Sequence, residues 1–176
     1  MKIIHELEGI AFGLTDVIIC FLGLLIGVAA STNNPTFVII AGVIAGVSNA
    51  FGNSLGVFIS QSTERGIQIH EKRRHKINTR IHPSKEVFMI SIYSFLATIS
   101  SLVILLLPFF IFRLTIATMS SFLFGLILLF VLGFYNGKLS EENAFFVGFK
   151  YVILGIMVVV VCYTIGNYLR FYSFRI

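Results

Sequence analysis

Apolar residues run along this chain in five long stretches, at 9–30, 37–62, 87–112, 114–134 and 144–168, separated by short polar breaks. At 1.5 Å per residue the shortest makes a helix of roughly 30 Å, enough to cross the hydrocarbon core of a bilayer. The pattern predicts an all-α, polytopic membrane protein with five transmembrane helices in a single membrane domain over 1–176. The first two stretches carry a second pattern. Gly9, Gly13, Asp16, Cys20, Gly23 and Gly27 recur at alternating steps of four and three, and so do Gly42, Gly46, Asn49, Asn53, Gly56 and Ser60. Each set is one face of a helix. In lipid, helices associate where small residues let backbones approach, so the two seams are expected to meet each other.

The breaks between stretches have their own chemistry. Residues 1–8 form a polar lead expected to lie on the membrane surface, and Asn33-Asn34-Pro35 is an uncharged turn. Helix 2 is expected to continue at its polar end into a basic segment, 63–86, with a helical first half that His82-Pro83 terminates. Arg113 marks the turn after helix 3. Asn136-Gly137-Lys138 is expected to close helix 4, and Ser140-Glu141-Glu142-Asn143 to cap helix 5.

Composition removes most other classes. Hydrophobic residues make up 57% of the 176 positions and charged residues 12%, a balance outside soluble globular usage. The first stretch is long, has acids in front of it and is followed by more of its kind, which separates it from a signal peptide. Cys20 and Cys162 both fall inside predicted spans, so neither a disulfide framework nor a zinc motif is expected. The net charge of +5 is local, because seven of thirteen Lys/Arg lie between Arg65 and Lys85. Basic residues flanked by membrane spans point to the cytoplasmic side and to anionic lipid headgroups at 63–86, with no nucleic acid as partner. Ten Lys/Arg fall on one side of a five-span topology and three, Arg113, Arg170 and Arg175, on the other. The N-terminus is therefore expected in the cytoplasm and the C-terminus outside.

Asp16 is the one acid deep inside any apolar stretch. A charge there costs roughly 2.5–3.5 kcal/mol on insertion scales, so it needs a partner, a proton or water. Asp16 with the amides of Asn49 and Asn53 could supply hard oxygen ligands for Mn²⁺ or Fe²⁺, and Asp16 could carry a proton the other way. The same three residues could equally act as interhelical hydrogen-bond glue. In the basic segment, Glu71 and His75 lie one helical turn apart and, with Glu64, could capture a metal arriving from the cytosol. Seven surrounding cations oppose that role and favour lipid contact. The hydroxyls of helix 3, Ser91, Tyr93, Ser94, Thr98, Ser100 and Ser101, either line a wet cavity or bond back to their own helix.

Several motifs resemble the vacuolar iron transporter family. Leu129-Phe130-Val131-Leu132-Gly133 followed by Gly137-Lys138-Leu139 is similar to its LFxLG…GKL turn. Gly155 with Tyr163-Thr164-Ile165-Gly166 is similar to its closing pattern, and Leu105 to Phe110 to its PLLPY end of helix 3. Gly13-Leu14-Thr15-Asp16 resembles the family's Gly-x-x-Asp, with Val17 where a glycine usually follows. Ser48-Asn49 or Gly52-Asn53 stands where the family has a Ser-Met pair, which replaces a soft ligand by an amide oxygen. The segment between helices 2 and 3 is shorter and more basic than the glutamate-rich domain of plant members.

The resemblance implies five spans and a symmetric homodimer that exports ferrous iron or manganese from the cytosol. Proton antiport would drive export, and the metal is substrate; no cofactor is expected. An enzyme is not expected, since membrane-embedded catalysis generally needs several converging acids or bases. The alternative is a non-transporting scaffold or lipid-binding protein that keeps the fold. Length and the lack of a targeting segment point to a multi-pass protein of a prokaryotic cell membrane, or of a vacuolar-type membrane if eukaryotic.

Overall fold

The computed structural model describes the backbone over residues 2–75 and 83–173, and side chains over 14–70, 72 and 83–172. Five helices follow one another: α1 (Lys2–Thr32), α2 (Pro35–His75), α3 (Ser84–Ile111), α4 (Leu114–Leu139) and α5 (Ala144–Ser173). Each is long and apolar enough to cross a membrane, and no strand occurs among the described residues.

The polar breaks act as stops and starts. After α1, Asn33 adopts φ 50°, a left-handed conformation that asparagine tolerates better than most residues. Its N–H still reaches Ala29 O at 3.1 Å. Asn34 Oδ1 then accepts the Thr36 N–H at 2.9 Å, and Pro35, which has no N–H to leave orphaned, opens α2. Pro83 is extended (φ −64°, ψ 145°) and opens α3. Asn143 Oδ1 accepts the Phe146 N–H at 3.4 Å, the capping role expected of the Ser140–Asn143 tetrad.

Two expected boundaries differ, at α1 and α4. α1 begins at Lys2, so the polar lead belongs to the helix. As expected, α2 continues through the first half of the basic segment, and it runs unbroken for 41 residues, about 60 Å, or twice the hydrocarbon thickness. α4 passes through Gly137 and ends only at Leu139, with Ser140 N–H bonded to Asn136 O and Glu142 N–H to Gly137 O. Glu141 takes the left-handed position, φ 56°, that a glycine would usually fill.

α1 is the hub of the bundle and packs against the other four helices. Val17, Ile18, Phe21, Leu22 and Leu25 are essentially buried, and they join Leu105, Phe109, Ala117 and Leu129 in one core. Around this hub, α2 pairs with α3 and α4 with α5. Ser54 Oγ donates to Ser91 O at 2.9 Å across the first pair, beside an edge-on contact of Phe51 with Phe95. In the second pair the backbones nearly touch. A Cβ on Gly133 would lie 2.9 Å from Gly148 Cα, and one on Gly137 2.7 Å from Ala144 Cα. Gly137 is thus a packing residue and not a helix stop.

The expected meeting of the two seams does not occur. Gly23 and Gly27 of α1 face α5, where Cys162 Sγ lies 2.8 Å from a Cβ built on Gly23 and Gly166 packs directly under Gly27 O. Gly42 of α2 receives Leu25 and Leu106, Gly46 receives Leu102, and Gly52 and Gly56 face open space. Dispersion contacts drive association in lipid, and a leucine tip fills a glycine notch as well as another glycine does.

Candidate functional site

Asp16 lies on the face of α1 that continues the Gly23–Gly27 seam, and it is exposed. The seam is closed by α5 at the level of Cys162 and Gly166 but open at Asp16. One turn on, Cys20 is also exposed and its thiol points at Asp16 Oδ1, 3.9 Å away. The S–H is a weak donor, so the carboxylate keeps most of its lone-pair capacity. Across the groove, Cys162 of α5 is half-buried beside Gly23. Cys20 is the residue that reasoning from the sequence passed over, and the i, i+4 spacing from Asp16 was the available signal.

Asn49 and Asn53 are both half-buried on α2. The contact of Leu25 with the Gly42 notch sets the register of this antiparallel pair. Asp16 and Phe51 each lie nine residues from that contact, so the two asparagines bracket the depth of Asp16. Nine residues are also two and a half turns, which places Asp16 on the side of α1 opposite Leu25. Within one chain, then, the carboxylate and the amides share a level but not a face. Asn53 already has an interaction of its own.

Glu64 lies on the part of α2 beyond the bilayer length, exposed, and accepts from Gln68 Nε2 at 3.2 Å. Eleven residues, about 16 Å along the helix, separate it from Asn53, so it belongs to a different site. Glu71 and His75 fall on the same projecting helix, and their side chains lie outside the described residues. Among the described residues no three His, Cys, Asp or Glu side chains are grouped to hold a metal ion.

Four hydroxyls of α3 turn back on their own helix. Ser91 donates to Val87 O, Thr98 to Ser94 O, Ser100 to Leu96 O and Ser101 to Ala97 O, each at 2.8–3.0 Å. They are satisfied without a wet cavity. Met89, Met119 and Met157 all face outward.

The model of the VIT family matches residues 7–94, half of the chain. The match covers α1, α2 and the start of α3, the helices that carry Asp16, Asn49 and Asn53. An uncharacterized protein of Methanocaldococcus jannaschii is 29% identical over 162 residues, spanning 87% of this chain and 84% of its own.

Proposed function

The chain belongs to the VIT family, whose members are membrane metal-ion transporters, and from that premise we propose that it exports ferrous iron or manganese from the cytosol in exchange for protons. Asp16 is the central ligand and proton carrier in this reading. The observation that carries it is the exposure of Asp16 on a membrane helix, where its hydrogen-bond neighbour among the described residues is the Cys20 thiol. A carboxylate used as glue would be buried against a donor on another helix. An open one in a lipid-facing position needs water, a cation or a second subunit.

A homodimer meets that need. Two copies facing each other across their Asp16 grooves would place two carboxylates and two Cys20 thiols along one path, a mixed hard and soft donor set that suits Fe²⁺ and Mn²⁺ better than Ca²⁺. Asn49 and Asn53 share this depth but not the Asp16 face, so in this reading they stand outside the ligand set of the shared path. Glu64, Glu71 and His75 line the cytosolic approach on the projecting end of α2. Arg65 and Lys72 on that end favour anionic headgroups, consistent with the N-terminus inside, the C-terminus outside and a prokaryotic cell membrane.

Uptake into proteoliposomes tests the reading, comparing Fe²⁺, Mn²⁺, Zn²⁺ and Ca²⁺ with an internal pH dye. Fe²⁺ or Mn²⁺ should enter with protons moving out, and Asp16→Asn should abolish both fluxes while the protein stays folded. A second reading, a scaffold that retains the fold, draws on the absence of a three-ligand cluster among the described residues. It prevails if no ion moves in a correctly inserted preparation.

A further inference from the structure

At the end of the bundle opposite the basic segment, a cavity of about 300 Å³ opens where α1 stops, α4 starts and α5 runs past both. Its floor is apolar, with the buried Ile26 and Ala29, and its rim carries the exposed Met119 beside the polar Asn33, Thr115, Tyr163, Asn167 and Arg170. Arg170 is the one charged residue in the lining and no carboxylate is part of it, so the cavity suits an anion and not a cation. The Thr118 hydroxyl is taken up by Leu114 O at 2.8 Å, whereas Asn33, Thr115 and Asn167 are exposed on the rim.

Depth identifies the surroundings. Tyr163, Tyr168 and Tyr172 are all half or more exposed on α5 around Arg170, and Tyr168 and Tyr172 lie with ring centroids 5.3 Å apart. Exposed tyrosines in a membrane helix mark the headgroup level. The ends of α1 and α4 at Thr32 and Leu114 fall at the same level. The cavity therefore presents a guanidinium and several neutral donors to the headgroup layer, and apolar wall toward the acyl layer.

We propose that this cavity binds a phosphate ester, the headgroup phosphate of a glycerophospholipid, with Arg170 as counter-charge and Asn33, Thr115 and Asn167 as hydrogen-bond donors. A guanidinium matches phosphate through paired, charge-assisted hydrogen bonds. The apolar floor receives the glycerol end of the acyl chains, which free phosphate would leave unused. The bound lipid ties α1, α4 and α5 together at this end. The site is separate from the headgroup contacts expected at 63–86 and does not rest on the transport reading.

Native mass spectrometry of the delipidated full chain tests it, titrating phosphatidylglycerol and diacylglycerol, with inorganic phosphate as competitor. One phosphatidylglycerol should bind with Arg170→Gln weakening it at least about tenfold, Asn167→Ala weakening it less, and diacylglycerol binding unchanged in both variants. Lys72→Gln, at the opposite end, should leave this binding event intact. Equal losses in Lys72→Gln and Arg170→Gln would assign the lipid to the basic end and overturn the proposal. So would phosphatidylglycerol binding that neither Arg170→Gln nor Asn167→Ala alters. Arg170-dependent binding of inorganic phosphate that displaces the lipid would keep the phosphate chemistry and overturn the lipid as its source.

Discussion

Cys20 Sγ lies 3.9 Å from Asp16 Oδ1, one helical turn along the same exposed face of α1. A thiol beside a carboxylate changes what the pair can bind, because sulfur favours the softer, later first-row ions and oxygen the harder ones. Cys20→Ser should therefore leave transport in place but shift the preference from Fe²⁺ and Zn²⁺ toward Mn²⁺ by several-fold. Competition between the ions in proteoliposomes measures this. Unchanged selectivity would remove Cys20 from the path.

Glycines of similar appearance in the sequence should differ sharply in tolerance. Gly166 packs under the backbone carbonyl of Gly27, which cannot rotate aside, while Gly56 faces open space. Gly166→Ala should cost about 1–3 kcal/mol through overpacking. Gly56→Ala should be neutral or stabilising by up to about 1 kcal/mol, the helix-propensity gain. Thermal midpoints in detergent compare the two.

Glu141 holds φ 56° at the end of α4, a conformation strained for a residue with a Cβ. Glu141→Gly should stabilise the α4–α5 turn by about 1 kcal/mol, read as a higher unfolding midpoint. A lower midpoint would show that the Glu141 side chain makes a compensating interaction.

Ser121 is fully buried in α4, and its Oγ has no hydrogen-bond partner among the described residues. An unsatisfied buried hydroxyl costs about 1–3 kcal/mol, and the low end applies where a serine can also turn toward its own helix. Ser121→Ala should therefore raise stability by about 1 kcal/mol without affecting transport. A fall in stability would point to an ordered water bound to the hydroxyl.

The number and type of elements could be read from the residues because each span is an apolar run closed by a polar turn. Asn34-Pro35 and Asn143 do in the structure what their chemistry predicts. The partner of each helix could not be read. A stripe of glycines says that something comes close but not what: Gly23 and Gly27 took Cys162 and Gly166 of α5, while Gly42 and Gly46 took leucines. Asp16 stood out as the lone intramembrane acid. Cys20 did not, because a cysteine in an apolar run looks like one more small hydrophobe.

The closure of α1 on α5 has a consequence for biogenesis. α1 leaves the ribosome well before α5, yet the Gly23–Gly27 face of α1 is completed by Cys162 and Gly166 of α5. At typical synthesis rates the interval between them is on the order of ten seconds. Through that interval the groove is open to lipid or to an insertion chaperone, while α2 and α3 can already form a neighbouring hairpin. A chain truncated before α5 would hold four inserted helices around a hub that has lost its most extensive partner on that side, and would be a natural target for membrane proteolysis.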